Sequence, residues 1–180
     1  MGNIANDIDE HTKANVVISE PHSMNHEGFM FHTSGKITGV LDAGVHNFLL
    51  VTAALNFPHI QRARFDFGGG DVDIEMYEGA TASSDGTPLT ANNTNRNSSL
   101  TADMVPNSAP TLTDDGTLIH SAWAYPTSTG TGRSPTGVSD VTNGEEWILK
   151  PSEKYLIRVT NNSGGTISFR YEFLWYEIGY

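Results

Sequence analysis

The sequence predicts an all-β fold, and three observations support that prediction. Apolar and polar residues alternate along several short segments, as in strands with one buried face. Clusters of Gly, Asn, Asp, Ser and Pro separate these segments. No segment of useful length has apolar residues at the spacing of an amphipathic helix. A jelly-roll-like β-sandwich with an extended N-terminal arm fits best, because the spacing predicts roughly eight to ten strands.

The first 27 residues are expected to form the arm, and residues 28–180 the sandwich domain. The arm is polar and irregular, and its one apolar run is Val16-Val17-Ile18. We interpret that run as a strand-like patch that binds another surface. A disordered terminus is the alternative, because terminal segments of this composition often lack a fixed structure.

Between residues 28 and 78 the pattern predicts five strands. Val45–Val51 is apolar on both faces, which is typical of a fully buried strand. Val72, Ile74 and Met76 alternate with acidic residues, which predicts a half-buried strand with one acidic face. The glycine run at 68–70 is expected to be a hairpin turn. The other predicted strands are Phe29–Phe31, Lys36–Leu41 and Ile60–Phe67.

Residues 79–143 are rich in Gly, Ser, Thr, Asn and Pro. Within them we expect one strand at Thr117–Trp123 and a long exposed loop at Thr127–Asn143.

The C-terminal block has a clearer strand pattern. It predicts a strand from Glu145 that stops at Pro151, and a second strand that buries Tyr155 and its alternate neighbours. The last strand should bury Ile167, Phe169, Tyr171, Phe173 and Trp175.

Charge and composition exclude several partners. The formal charge is -11, from 21 acidic and 10 basic residues, which argues against nucleic acid and against anionic membranes. The chain has no cysteine and no run of the roughly 20 apolar residues that a membrane helix needs. Its first residues lack a basic region followed by an apolar run, so we expect no signal peptide.

Acidic residues could form a calcium or paired-carboxylate site. Asp71, Asp73 and Glu75 share one face of a predicted strand, with Asp66 nearby. A solvated face is the favoured interpretation, because alternate residues of a strand simply point to solvent.

Histidine is a common zinc ligand, and the chain has seven. His22, His26 and His32 are spaced by four and six residues, which suits a helix better than the strands expected here. Neither a zinc-protease motif nor a cysteine pair accompanies them, so surface or partly buried histidines are favoured. The remaining four are His11, His46, His59 and His120.

No nucleophile elbow or phosphate-binding loop is present. We therefore assign no catalytic, cofactor-binding or metal-binding residue, expect no cofactor, and do not expect an enzyme. Sequons at Asn92, Asn97 and Asn161 are interpreted as chance matches in an Asn-rich chain.

The end of the last strand is apolar on its second face. A carbohydrate platform through Tyr171, Trp175 or Tyr176 is one interpretation, but strict period two favours a core face. An exposed apolar patch would be a liability in a monomer, so it indicates a protein contact. The candidate contact residues are Val16, Val17, Ile18, Leu174, Tyr176, Ile178 and Tyr180.

Two stretches resemble a known family. One comprises Met76–Thr81, Gly86–Leu89 and Asn92–Ser98; the other comprises Glu145–Pro151 and Tyr155–Asn161. Together they resemble the jelly-roll capsid decoration, or cement, proteins of tailed bacteriophages. The resemblance covers roughly residues 60–180 and lies in the pattern of residues and in the residue types of these stretches.

The resemblance implies a virion protein on the outer surface of the capsid that binds major capsid protein and assembles as a homo-oligomer, with a trimer favoured. It implies no cofactor and no catalytic residue. From the residues themselves, we expect Arg96 to hold its amide-rich loop by donating hydrogen bonds to carboxylates or carbonyls. We expect Trp147 and Tyr155 to be core or interface anchors.

Two alternatives stay open. A receptor- or glycan-binding module of a phage head or tail fibre would use Trp123 and Tyr125 in the Ser/Thr-rich region. A metal-dependent, cupin-like β-sandwich enzyme would use the histidines.

Overall fold

The computed structural model describes residues 7–8, 15–16, 19–68, 70–124, 137–142 and 145–179. These residues form one helix, α1 (Glu20–Glu27), and sixteen strands. No helix in the described part of the chain is long and apolar enough to cross a bilayer. In chain order, the strands are β1 (Asp7–Ile8), β2 (Asn15–Val16), β3 (Met30–Val40), β4 (Val45–Val51), β5 (Asn56–Phe67), β6 (Val72–Glu78), β7 (Thr81–Ser84), β8 (Thr87–Pro88), β9 (Asn92–Asn93), β10 (Val105–Ser108), β11 (Thr111–Asp114), β12 (Thr117–Ala124), β13 (Gly137–Asp140), β14 (Trp147–Ile148), β15 (Lys154–Asn161) and β16 (Ile167–Gly179).

Two antiparallel sheets form the body of the molecule. The β3 sheet has the order β13-β5-β16-β3-β9, with β14 also paired to β5. The β4 sheet has the order β12-β6-β15-β4-β10-β8. The eight principal strands are β3, β4, β5, β6, β12, β13, β15 and β16. If these eight strands are numbered 1 to 8 in chain order, the β3 sheet has the order 6-3-8-1. The β4 sheet has the order 5-4-7-2. This is the strand order of a jelly roll, so the predicted all-β, jelly-roll-like sandwich is confirmed.

The glycine run at residues 68–70 connects the two sheets. β5 belongs to one sheet and β6 to the other, so the predicted hairpin between them is wrong. β5 is already paired with β16 on one side and with β13 and β14 on the other, which leaves no edge for β6. Gly70 has a φ of 101°, and a Cβ there would collide with the side chain of Ser163. Glycine is required at this crossing because it tolerates both the backbone angle and the close approach.

Aromatic rings fill the space between the sheets. Phe48 of β4 lies with its ring centroid 6.0 Å from that of Phe65 on β5 and 5.3 Å from that of Phe173 on β16. These contacts join strands of opposite sheets, as inward-facing residues of a sandwich should. The predicted inward face of the last strand is confirmed, since all five of its members are buried: Ile167, Phe169, Tyr171, Phe173 and Trp175.

A small sheet of β7 and β11 contributes a second apolar cluster. In this cluster Leu49 of β4 and Leu156 of β15 are fully buried, with Ala82 of β7 and Leu112 of β11 packed against them. The small sheet covers β4 on the side away from the main core. This explains why the centre of β4 is buried on both faces, as its apolar run predicted. It also places structure in a segment whose composition indicated mainly loops.

Helix α1 lies in the segment predicted to be an irregular arm. The periodicity did not reveal it, because none of its residues is buried and it has no apolar stripe. Its end signals are present in the sequence. Pro21 lies in the first turn, and Gly28 ends the helix with a φ of 84°. The N–H groups of Gly28 and Phe29 donate to the carbonyls of Asn25 and Met24.

Some strand bounds also differ from the sequence prediction. β3 runs unbroken from Met30 to Val40, where two shorter strands were expected. β13 (Gly137–Asp140) pairs with β5 inside the segment predicted to be a long loop. β14 has only two residues, although a strand from Glu145 to Lys150 was expected. The predicted strand at Thr117–Trp123 is confirmed as β12.

Candidate protein-contact surfaces

The end of β16 carries three of the predicted contact residues. Tyr176 is 1% exposed, and its ring stacks on His59 with the centroids 4.6 Å apart. Helix α1 packs against β3 and β16, and β14 pairs with β5 at His59. This corrects the expectation that Tyr176 faces a partner, because its ring is buried in the chain's own packing. Leu174 and Ile178 are half-buried, and their role as contacts stays a prediction.

The other predicted contact residues lie at the chain ends. Val16 belongs to β2, which pairs with β1 through the register Asp7 to Val16. Val17, Ile18 and Tyr180 lie outside the described residues. A contact through any of these four residues therefore also stays a prediction.

A buried carboxylate lies within the apolar end of β16. Glu177 is 4% exposed. Its Oε2 accepts a hydrogen bond from the backbone N–H of Asp103 at 2.8 Å, and its Oε1 accepts from the N–H of Met104 at 2.9 Å and from the indole of Trp175 at 2.8 Å. Burial raises the pKa of Glu177. The three donors tie the segment before β10 to the last strand, which indicates a structural role.

The acidic row on β6 is a half-exposed face, as its alternation predicted. Asp73 accepts a hydrogen bond from Asn162 at 2.7 Å, and Glu75 accepts one from the hydroxyl of Tyr77 at 2.9 Å. Asp66 belongs to the other sheet, so it does not join the row. No group of three or more His, Cys, Asp or Glu side chains able to hold a metal ion is found among the described residues.

The described histidines occupy separate parts of the fold. His22 and His26 are neighbours on α1, with their Nε2 atoms 2.9 Å apart. His46 lies 3.0 Å from Ser108 Oγ and packs on Phe48, and its burial lowers its pKa. His59 Nδ1 lies 3.3 Å from Glu146 Oε2, without hydrogen-bond alignment. The fold thus separates most of the histidines that the sequence offered as ligands. His32 lies on β3, His120 lies on β12 against Trp147, and His11 lies outside the described residues.

Edge strand β12 carries the most exposed aromatic ring in the described part of the chain. Trp123 is 61% exposed, and Leu118 on the same strand is 49% exposed. Trp123 pairs in register with Asp73 of β6. Tyr125, the second aromatic residue proposed for glycan binding, lies outside the described residues. An indole beside a carboxylate is a surface on which a sugar ring can stack and donate hydrogen bonds.

The two stretches that carry the family resemblance meet at one end of the sandwich. Glu78 ends β6, and its carboxylate accepts hydrogen bonds from Lys150 Nζ at 2.6 Å and from the hydroxyl of Tyr155 at 3.0 Å. The same hydroxyl accepts from the backbone N–H of Lys150 at 2.9 Å. The hydrogen bond from Lys150 lowers the pKa of Glu78, and burial raises the pKa of Tyr155 to about 12. We call Glu78, Lys150 and Tyr155 the end cluster.

The Asn-rich loop holds helix α1 in place. Asn95 Nδ2 donates to the carbonyl of His26 at 2.9 Å, and Thr94 Oγ1 donates to Asn25 Oδ1 at 2.6 Å. Arg96 donates to the carbonyl of Asn93 at 3.3 Å, which confirms the expectation that it holds this loop. The loop therefore holds α1 beside β3 and β16.

The three sequons differ in accessibility. Asn161 is fully buried, and its Nδ2 donates to the carbonyls of Val40, Leu41 and Gly165. A glycan cannot be accommodated at Asn161 in the folded chain. Asn92 is half-buried and Asn97 is exposed.

Basic side chains gather on the outer face of the β3 sheet. Lys36 of β3, Arg62 and Arg64 of β5, and Arg170 of β16 alternate with buried residues on three adjacent strands. They are four of the ten basic residues in an acidic chain. We call these four residues the basic face. Sequence analysis missed it, although Arg62 and Arg64 are two positions apart in a predicted strand, because the pairing of β5, β16 and β3 is not visible in the sequence.

Shallow grooves cross the basic face. Two of them, each of about 510 Å³, share Lys36, Asp66 and Arg170. A third groove of about 450 Å³ joins the second at His32 and adds Arg96. The grooves are open to solvent, so they suit the surface of a partner better than an enclosed small molecule.

No protein-family model matches the chain, and no curated protein is significantly similar to it.

The grounds for a functional assignment are therefore the fold, these surfaces and the resemblance. The carboxylates of Glu78 and Glu177 accept hydrogen bonds from donors within the chain. The basic face, the half-buried residues of β16 and the edge around Trp123 present side chains to solvent. This arrangement is suited to binding other macromolecules through exposed surfaces.

Proposed function

We propose that the protein is a virion structural protein that decorates the outside of a phage head and bridges neighbouring major capsid protein subunits. The observation that supports the proposal most directly is the end cluster. Two separate stretches carry the resemblance, and Glu78, Lys150 and Tyr155 join them by hydrogen bonds, with Glu78 and Lys150 72 positions apart in the chain. The residues of the resemblance thus close one end of a jelly roll, which is the fold that the resemblance implies.

The proposed mechanism is additive surface burial. Each copy contributes a modest contact, and many copies brace the shell together through avidity. The formal charge of -11 opposes clumping of free copies before they bind. A homotrimer is part of the proposal, since three linked domains would contact several capsid subunits at once.

Co-sedimentation with undecorated heads tests this proposal. Heads of the phage that encodes the chain, assembled without this protein, are mixed with purified protein at micromolar concentration. We expect the protein to sediment with the heads and to saturate at a fixed number of copies per capsid. Absence of a sedimenting complex contradicts the proposal.

A matched pair of variants locates the contact. Ile178→Asp alters the candidate contact at the end of β16, and Leu118→Asp alters an exposed apolar residue on the distant strand β12. If the end of β16 binds the shell, only Ile178→Asp weakens sedimentation, provided that both variants unfold at the temperature of the native chain.

A second candidate function is glycan binding, and the exposed Trp123 favours it. Binding on a glycan array that disappears in Trp123→Ala would support this alternative. A blank array together with head binding supports decoration alone.

A further inference from the structure

Two cations of the basic face lie side by side on neighbouring strands. Arg170 and Lys36 are direct cross-strand partners, and both are exposed. Asp66, the partner of Arg170 on the other strand, accepts a hydrogen bond from Arg64 Nε at 2.9 Å. Among the described residues, neither Lys36 nor Arg170 has an ion-pair partner.

The remaining charges of the face are already neutralised. Glu172 lies 3.5 Å from Arg62. Like charges directly opposite each other on a sheet repel, so the pair of Lys36 and Arg170 has an electrostatic cost in the free chain. A carboxylate placed between them would remove that cost and gain charge-assisted hydrogen bonds.

The groove beside Lys36 continues towards Arg96. His32 lines both the groove at Lys36 and the groove at Arg96. A third exposed cation therefore borders the stretch of surface that carries the pair.

We propose that the basic face docks an acidic polypeptide surface, with an Asp or Glu carboxylate of the partner seated between Lys36 and Arg170. The proposal rests on the proposed function in one respect, because it names the face that a decoration protein would turn towards the shell. The face is a local exception in a chain of net charge -11, so it selects an acidic partner by complementarity.

The arrangement favours a polypeptide over a nucleic acid. A phosphate chain that follows the grooves would pass the carboxylates of Asp66 and Glu172, which repel it. A protein surface can place its carboxylate at the cation pair and amide or basic groups at those two positions.

A second copy of the chain is a weaker fit. The acidic row of β6 belongs to the other sheet, so its outer face looks away from the basic face. Contact between opposite faces of successive copies would build an open chain of molecules rather than a closed oligomer.

Two double variants with equal charge provide the test. Lys36→Gln/Arg170→Gln removes the cation pair, and Lys150→Gln/Lys154→Gln removes two cations at the end of the other sheet. Both change the formal charge by the same amount, and the control breaks only exposed or partly exposed ion pairs, which contribute little to stability. A peptide of alternating Glu and Gln residues serves as the acidic probe, with single-stranded DNA as the phosphate probe, in titrations at several salt concentrations.

We expect the Glu/Gln peptide to bind the native chain at low salt, more tightly than DNA, because its amide groups can lie at Asp66 and Glu172. The affinity should fall about tenfold in Lys36→Gln/Arg170→Gln and stay near the native value in the control. Equal affinities for the two double variants, no binding by the native chain, or tighter binding of DNA would each overturn the proposal. Salt-dependent self-association that only the first variant abolishes would overturn it in favour of a second copy.

Binding to undecorated heads separates this inference from the proposed function. If the heads bind both double variants equally, decoration stands and the basic face is not the docking surface. If the Glu/Gln peptide binds as expected and neither the native chain nor either variant sediments with heads, the docking role of the basic face stands and decoration fails.

Discussion

Glu177 shows how one side chain can fix a long connection. Its carboxylate receives three donors, two of them from the backbone just before β10. A glutamine keeps one acceptor and turns an N–H group towards a donor. We therefore expect Glu177→Gln to lower the free energy of unfolding by about 1–3 kcal/mol, the typical cost of a buried unsatisfied polar group.

Urea unfolding checks this expectation, with Glu172→Gln as the control on the same strand. Glu172 faces outward and lies 3.5 Å from the exposed Arg62, so its loss should change stability by less than about 0.5 kcal/mol. Equal costs for the two variants would show that the three donors of Glu177 find other partners.

Tyr155 gives the end cluster a defined dependence on pH. Burial is the main reason that its pKa rises from 10.0 to about 12. Because the folded pKa lies above the unfolded one, the associated stability is fully present below pH 10 and is lost as the pH rises through about 12. Glu78 has the opposite sign, since its lowered pKa gives a contribution that is lost as the pH falls through that value.

We expect Tyr155→Phe to lower the unfolding free energy near neutral pH by about 1–2 kcal/mol, because two hydrogen bonds are lost. The variant should also lose less stability than the native chain between pH 10 and 12. Unfolding curves at a series of pH values measure both effects. If Tyr155→Phe loses as much stability as the native chain between pH 10 and 12, other tyrosines cause the loss of stability at alkaline pH.

At the scale of elements, helix α1 depends on its neighbours. An isolated helix of eight residues is not stable in water, and this one buries none of its residues. It is held by the loop at 93–98 and by its glycine end. The φ of Gly28 is 84° and that of Gly39 is 77°, but only at Gly28 would a Cβ collide, with the side chain of Ser98.

We expect Gly39→Ala to cost about 1 kcal/mol, from the backbone angle alone. Gly28→Ala should cost clearly more, because the collision adds to the same backbone strain. Thermal unfolding of both variants tests this difference. The double variant Gly28→Ala/Ser98→Gly should recover the added part, and a failure to recover it would show that the collision is not the cause.

The same scale shows what a single sequence can predict. Alternation identified β6, β15 and β16, because each buries one face in the core. Alternation did not identify strand partners, so the glycine run at 68–70 was interpreted as a hairpin although it crosses between sheets. The basic face was missed for the same reason. Its residues are distant in the chain and become neighbours only through the order β5-β16-β3.

At the scale of the whole molecule, Phe48 couples the sheets. Its ring contacts Phe65, Tyr171 and Phe173 of the opposite sheet. We expect Phe48→Ala to lower the free energy of unfolding by about 3–5 kcal/mol, as for other large-to-small changes in a core. Leu55→Ala is the control, because Leu55 is 80% exposed and should cost less than about 0.5 kcal/mol.

Chemical denaturation followed by fluorescence and by circular dichroism measures this effect. Both probes should report one shared transition, at lower denaturant for Phe48→Ala, because the two sheets share one core. Separate transitions, with the aromatic signal lost first, would contradict this view of the core.

The first and last principal strands are partners, with Met30 opposite Tyr176. The polypeptide therefore enters and leaves the sandwich at the same pole. A short linker could join these two points, and new ends could then be opened in a surface turn without breaking the order of the sheets. The same neighbourhood means that cargo fused to either end of the body would project from a single pole and leave the flanks of the sandwich clear.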